Sequence, residues 1–223
     1  MLAGVVSALP LLGNAAAPPM APPAAVLTSS WVRAMASTAK PETDIALRSR
    51  LRSAVLGAAA GTAWDAECEQ DNQASGAAAG VARQRLPDGT WLLRLDCGAG
   101  AYQGSFWAAQ IWRQAGQWRA GVLVWPVAQA QAQARAGARA TGQPFTLTQE
   151  VVLSGDLVLL PGGTLEVLNR FRGLGDCGTR SGYEVKQGRV RFMVLAAVWV
   201  CPDTPASVPI GPPDWPILKS FGR

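Results

Sequence analysis

An antiparallel, mainly β domain of the α+β kind, with one N-terminal amphipathic helix, is the fold this sequence predicts, and three observations predict it. Between residues 83 and 200 short apolar runs recur, divided by Pro/Gly punctuation such as Leu86-Pro87-Asp88-Gly89-Thr90 and Pro161-Gly162-Gly163, the pattern of strands joined by tight turns. Glycines at 173, 175 and 178 surround Cys177 between two strand-like runs, and they permit the positive φ values that a tight reversal requires. Helical spacing stands out in one place, Pro41 to Ala60. With 49% hydrophobic and 16% charged residues in a chain of 223, there is apolar content enough for a single core.

Taken in order, residues 1 to 32 carry no charged side chain, Leu2 to Leu12 form a short apolar run, and Ala15-Ala16-Ala17 offers small residues to a signal peptidase. The expectation is a signal peptide over residues 1–17, although no Lys or Arg precedes the apolar run. Export to the periplasm follows from it. That run falls short of the roughly 20 residues a bilayer-spanning helix needs, so no membrane span is expected. Residues 18–40, with Pro18, Pro19, Pro22 and Pro23 among alanines, read as an extended linker. The domain proper is placed at 41–223.

Its opening helix has Pro41 in the first turn, Glu42 and Asp44 at the positive end of the helix dipole, and an apolar stripe of Leu47, Leu51, Val55 and Ala58. A β-meander follows from Arg83 to Val127: strands at 91–97, 101–112 and 118–127, with turns at 86–90 and 114–117. Six of the nine tryptophans, at 64, 91, 107, 112, 118 and 125, fall in or near this region and are expected to fill the core of a sheet or its flanking rim rather than to stack ligands. An Ala/Gln/Arg tract, Ala128 to Gly142, reads as an exposed connector. Further strands are expected over 144–153, 157–160 and 164–171. A strand running from Gly188 puts Val190, Phe192, Val194, Ala196, Val198 and Val200 on one buried face. Trp215-Pro216-Ile217 is expected to pack back onto the sheet.

Export gives the four cysteines a role. Cys68, Cys97, Cys177 and Cys201 allow two disulfides in three connectivities, and neighbours are expected to pair: Cys68 with Cys97, Cys177 with Cys201. The second joins a turn to the far end of a strand in the same β unit, and closing its loop adds about 3 kcal/mol.

Several chemistries are narrowed by residues the chain lacks. There is no histidine, which removes His-assisted nucleophiles, His-containing zinc sites and His general bases. No cysteine pair has Cys-x-x-Cys spacing, so no metal is expected there. Asp65, Glu67, Glu69 and Asp71 alternate, but they lack the central glycine and distal glutamate of an EF-hand loop and read as a solvated acidic edge. No cofactor is expected. A thiol enzyme would need Cys177 free and activated by arginines; a carboxylate enzyme would need pairs such as Asp65 with Glu67 or Asp176 with Glu184.

The segment Phe171-Arg172-Gly173-Leu174-Gly175-Asp176-Cys177-Gly178, preceded by Leu95-Asp96-Cys97-Gly98-Ala99-Gly100-Ala101-Tyr102-Gln103 and followed by Cys201 and Trp215-Pro216, resembles the proteobacterial family catalogued as domain of unknown function 1176. In that family a Gly-x-Gly-Asp-Cys-Gly turn, a Cys followed by Gly-Ala-Tyr, a later Cys and a terminal Trp-Pro recur in this order. The resemblance spans residues 92–217, with Phe171 standing where the family commonly has Lys. It implies a secreted, β-rich envelope protein with structural disulfides, and it brings no established activity.

The charge balance points to a partner class. Twenty basic residues oppose 15 acidic ones, for a net charge of +5, and arginine supplies most of the surplus. Arg170, Arg172 and Arg180 flank Asp176 at the glycine turn, and Arg189 and Arg191 are expected to join them when the strands pair. Together they form a candidate anion-binding surface for an anionic envelope component or an acidic protein. The competing expectation is that Asp176 neutralises one arginine and braces the turn. Nucleic acid is not expected as the partner of an exported protein. The functional expectation is a non-catalytic binding module; a passive structural component of the envelope and a thiol or carboxylate hydrolase are the alternatives.

Overall fold

The computed structural model describes residues 25–27, 81–99, 103–131, 145–202 and 212–221. Over these the protein is mainly β, as its alternating pattern predicts. Its strands are β1 (Ala25–Leu27), β2 (Val81–Arg85), β3 (Trp91–Ala99), β4 (Gly104–Gln114), β5 (Gln117–Val122), β6 (Trp125–Ala130) and β7 (Phe145–Glu150). They continue as β8 (Val152–Ser154), β9 (Asp156–Leu159), β10 (Leu165–Arg170), β11 (Gly178–Lys186), β12 (Arg189–Val198) and β13 (Ile217–Ser220). The only helical turn among the described residues is a 3-10 turn, Pro212–Asp214. The expected helix at 41–60, the signal peptide, Cys68 and the acidic run at 65–71 lie outside the described residues, as does most of the expected linker. Ala25–Leu27 is the exception: this apolar tripeptide pairs with Ala120–Val122 of β5 as an added strand.

All strand pairs are antiparallel. Sheet I runs β1-β5-β4-β3-β2, with β8 pairing the first part of β4; sheet II runs β13-β12-β11-β10-β9, and β6 and β7 form a ribbon. Turn chemistry sets the hairpins. Asp88 accepts from Thr90 N at 2.9 Å and Thr90 Oγ1 at 2.7 Å, and Gly89 takes φ 83°, closing β2 onto β3. Ala115-Gly116 and Gln187-Gly188 both lie at positive φ, the two-residue turn whose twist matches that of the strands it joins.

Leu92, Phe106 and Ala108 from sheet I, Trp125 and Ala128 from the ribbon, and Leu165, Val167, Tyr183, Val185, Val190, Phe192, Leu195 and Ala197 from sheet II share one buried cluster. The other face of sheet I is buried too, at Leu93, Trp107, Ala109, Ile111 and Ala120. Gly155 makes the corner between the sheets. Its φ is 131°, and a Cβ there would stand 2.4 Å from the Leu168 carbonyl oxygen.

Two expectations about strands are corrected. The run 118–127 is not one strand: β5 ends at Val122, and Trp125 starts β6, letting the chain leave sheet I for the ribbon. The buried face of β12 does not follow even positions throughout. Tyr183 pairs with Phe192 but Gly182 pairs with Val194, so Met193 is the extra residue of a bulge, and parity flips beyond it. Val190 and Phe192 are core before the bulge; Leu195 and Ala197 are core after it. Trp107, Trp112, Trp125 and Trp215 are buried and Trp91 and Trp118 are half-buried at the rim, the two places expected of tryptophans in a sheet.

Candidate functional site

The loop between β10 and β11 carries most of the predicted site. β10 ends at Arg170 opposite Gly178, the first residue of β11. Phe171 N donates to the Cys177 carbonyl at 3.1 Å, and Gly175 N to the Arg172 carbonyl at 3.1 Å, with Gly175 at φ 70°. Gly178 has no room for a side chain: a Cβ would lie 2.1 Å from the Asn169 carbonyl oxygen and 2.7 Å from the Trp215 ring. The glycine spacing thus serves a tight loop under the C-terminal Trp-Pro.

Three fastenings hold this loop. Arg172 Nε donates to Asp176 Oδ1 at 2.7 Å, its Nη2 donates to Asp176 Oδ2, and Nη2 also donates to the Pro202 carbonyl at 2.8 Å. The Arg172 hydrogen bonds hold the Asp176 carboxyl below its ordinary value of 3.8 against the opposing effect of burial, and the guanidinium charge adds to the lowering. Cys177 is bonded to Cys201, with Cα atoms 5.0 Å apart. Gln103, just before β4, accepts from Arg170 N at 2.8 Å and donates from its Nε2 to Asn169 Oδ1, tying the loop's base to sheet I. Cys97 is buried and likewise disulfide-bonded; its expected partner, Cys68, lies outside the described residues.

The six predicted site residues fall into two groups. Arg170, Arg172 and Asp176 meet at the loop, and Arg180 follows on β11. Arg189 and Arg191 do not join them. They pair with Lys186 and Glu184 at the opposite end of β11, about 20 to 26 Å from the loop at roughly 3.3 Å per residue. The expectation that strand pairing would gather all five arginines is therefore corrected, because antiparallel pairing sends the start of β12 to the far end of β11. Most of these arginines also face a carboxylate. Arg170 pairs with Asp156, Arg172 with Asp176, Arg191 with Glu184 at 2.6 Å, and Arg180 approaches Glu166 at 3.9 Å. Arg189 is exposed and forms no ion pair among the described residues.

Sequence reasoning missed what the loop shows to solvent. Phe171 is 41% exposed and Leu174 63%, and Val200, next to Cys201 in sequence, is 37% exposed; the Phe171 ring stacks on half-buried Trp199 with centroids 6.3 Å apart. Apolar residues inside a Gly/Arg segment were the available signal. Chemically, the site offers a rigid apolar tip with charges already compensated. The thiol chemistry weighed for Cys177 is closed, since its sulfur is in the disulfide. Asp176 and Glu184 are not a working carboxylate pair either: six residues of extended β11 separate Gly178 from Glu184, about 20 Å. Comparisons with protein-family models, with curated proteins and with solved structures found no match for the chain.

Proposed function

We propose that this protein is an exported, non-catalytic interaction module of the cell envelope, and that it meets its partner through the loop between β10 and β11. The observation that carries the reading is the exposure of Phe171 and Leu174 on a loop fastened by a disulfide, a two-point ion pair and a packed Trp215, with exposed Val200 next to the disulfide's other end. A preorganised tip loses little conformational entropy on docking, and large exposed apolar side chains on it offer contact area to a partner. The signal-like N-terminus and the resemblance to domain of unknown function 1176 support export. The neutralised arginines favour a second reading, a passive structural component, in which the loop contacts nothing.

Photocrosslinking in cells that make the full chain separates the two. A photoreactive residue at 171 or 174 is expected to give one discrete adduct in the periplasmic extract, and one at position 184, at the far end of β11, none. No adduct from the loop, or equal adducts from all three positions, overturns the interaction reading; recovery of the chain only from the cytosol overturns export.

A further inference from the structure

The second face of sheet I, turned away from the shared core, is buried at its middle by Leu93, Trp107 and Ile111, but its edge carries a cluster that the loop does not explain. Cross-strand register fixes its membership. Arg85 pairs with Trp91, Trp91 with Ile111, and Arg113 with Trp118; residues two apart on a strand share a face, so Arg83, Arg85, Trp91, Arg113 and Trp118 all stand on one side. The guanidinium of Arg83 lies 4.2 Å from the centre of the Trp91 ring, that of Arg85 5.9 Å from the same ring, and that of Arg113 5.1 Å from the Trp118 ring. These are cation–π distances. Arg85 and Arg113 are exposed, and neither forms an ion pair among the described residues, unlike most arginines of sheet II. Asp88, in the adjoining turn, is engaged by its own Thr90.

We propose that this Arg/Trp face binds an anionic polysaccharide, a sugar chain bearing sulfate, phosphate or carboxylate groups, with Arg85 and Arg113 as the anion-contacting forks. The tryptophan rings restrain the side chains beside them, and a guanidinium has the planar fork that pairs with two oxygens at once. The row crosses four adjacent strands, about 14 Å at roughly 4.8 Å per strand, which suits an extended chain carrying several charges. The same features disfavour other occupants. A lipid surface needs protruding apolar side chains, and the exposed large hydrophobics among the described residues (Val158, Phe171, Leu174, Val200, Ile217) all lie in sheet II or beside its strands. Single-stranded nucleic acid needs open aromatic faces for its bases, and here arginines occupy ring faces. A protein partner needs an exposed apolar centre, whereas the apolar middle of this face, at Leu93, Trp107 and Ile111, is already buried within the chain.

The test is calorimetric titration of the full chain with a heparin octasaccharide at several salt concentrations. Binding that weakens steeply with salt is expected. Arg85→Gln/Arg113→Gln should weaken it at least tenfold and make the salt dependence shallower, while melting at the wild-type temperature. Arg85→Lys/Arg113→Lys should recover only part, because charge returns without the fork. Lys186→Gln/Arg189→Gln, an equal charge change on the outer face of sheet II, should bind as wild type. Equal losses in the two glutamine variants, full recovery by the lysine variant, or no binding by the wild type overturn the proposal. So does tighter binding, through Arg85 and Arg113, of a single-stranded oligonucleotide or of phosphatidylglycerol vesicles.

Discussion

Arg172 grips both carboxylate oxygens of Asp176, four residues ahead, and with the same Nη2 reaches the Pro202 carbonyl next to Cys201. One guanidinium therefore closes the loop on itself and joins it to the segment that the disulfide also reaches. Arg172→Ala is expected to cost about 1 to 2 kcal/mol in urea unfolding, the range for hydrogen bonds to a charged group at a partly exposed site. Arg172→Lys should recover only a fraction, since a point charge cannot make the paired contact.

The same pair sets an acid dependence. The folded Asp176 carboxyl lies below its ordinary value of 3.8, chiefly through its hydrogen bonds to Arg172. A depressed carboxylate contributes stability that is fully present above the unfolded value and lost as pH falls through the folded one. The gap in unfolding free energy between wild type and Arg172→Ala should accordingly be constant near neutrality and narrow in acid, as the carboxyl, left to burial alone in the variant, takes up a proton there before the wild type does. A gap that does not change with acid would mean that the carboxylate is not held by this arginine.

Cys177 and Cys201, 24 residues apart, close a loop that takes in all of β11 and β12. Replacing both with serine should lower stability by about 3 kcal/mol. The double variant is the right probe, because chemical reduction would also open the disulfide of Cys97.

Gly155 at the corner between the sheets and Gly162 in the turn from β9 to β10 make a controlled comparison. Gly155→Ala forces a Cβ to 2.4 Å from the Leu168 carbonyl oxygen, a backbone atom that cannot move aside, whereas Gly162→Ala at φ 88° meets nothing within 4 Å. Thermal melts should show Gly162→Ala costing about 1 kcal/mol for its backbone conformation alone, and Gly155→Ala at least about 3 kcal/mol.

These contrasts show what the chain discloses by itself. Hairpins with their own turn chemistry were legible: Pro87-Asp88-Gly89 and Ala115-Gly116 mark turns, and Cys177 and Cys201 flank one β unit, whereas β11 and its turn into β12 at Gln187-Gly188 went unmarked. The bulge at Met193 was not, because a single inserted residue has no composition signal when both faces of β12 are apolar near its end. Asp156 and Glu166 as partners of Arg170 and Arg180 depend on β9 and β10 lying side by side, and only tertiary structure reveals that. The Arg113–Trp118 and Glu184–Arg191 pairings lay closer to hand. Each is symmetric about a two-residue turn, so counting outward from the turn places the partners opposite one another.

Tyr183 offers a prediction at the alkaline end. It is buried in the shared core, packs edge-on against Trp125 with centroids 5.1 Å apart, and donates its hydroxyl to the Pro126 carbonyl at 3.0 Å. Burial pushes the phenol above its ordinary value of 10.0, with a hydrogen bond to Ser181 acting in the opposite direction. The sign is the reverse of that for Asp176. A raised phenol contributes stability that is complete below the unfolded value and declines as pH climbs through 10.0 toward the folded one, because only the unfolded chain releases the proton there. Tyr183→Phe should cost about 1 kcal/mol at neutral pH, where the Pro126 carbonyl loses its donor. Above pH 10 the cost should shrink, since the variant has no phenol to ionise on unfolding. Urea titrations of both proteins at pH 7 and pH 11 check it, and a difference that stays the same would mean that Tyr183 is not protected from ionising in the fold.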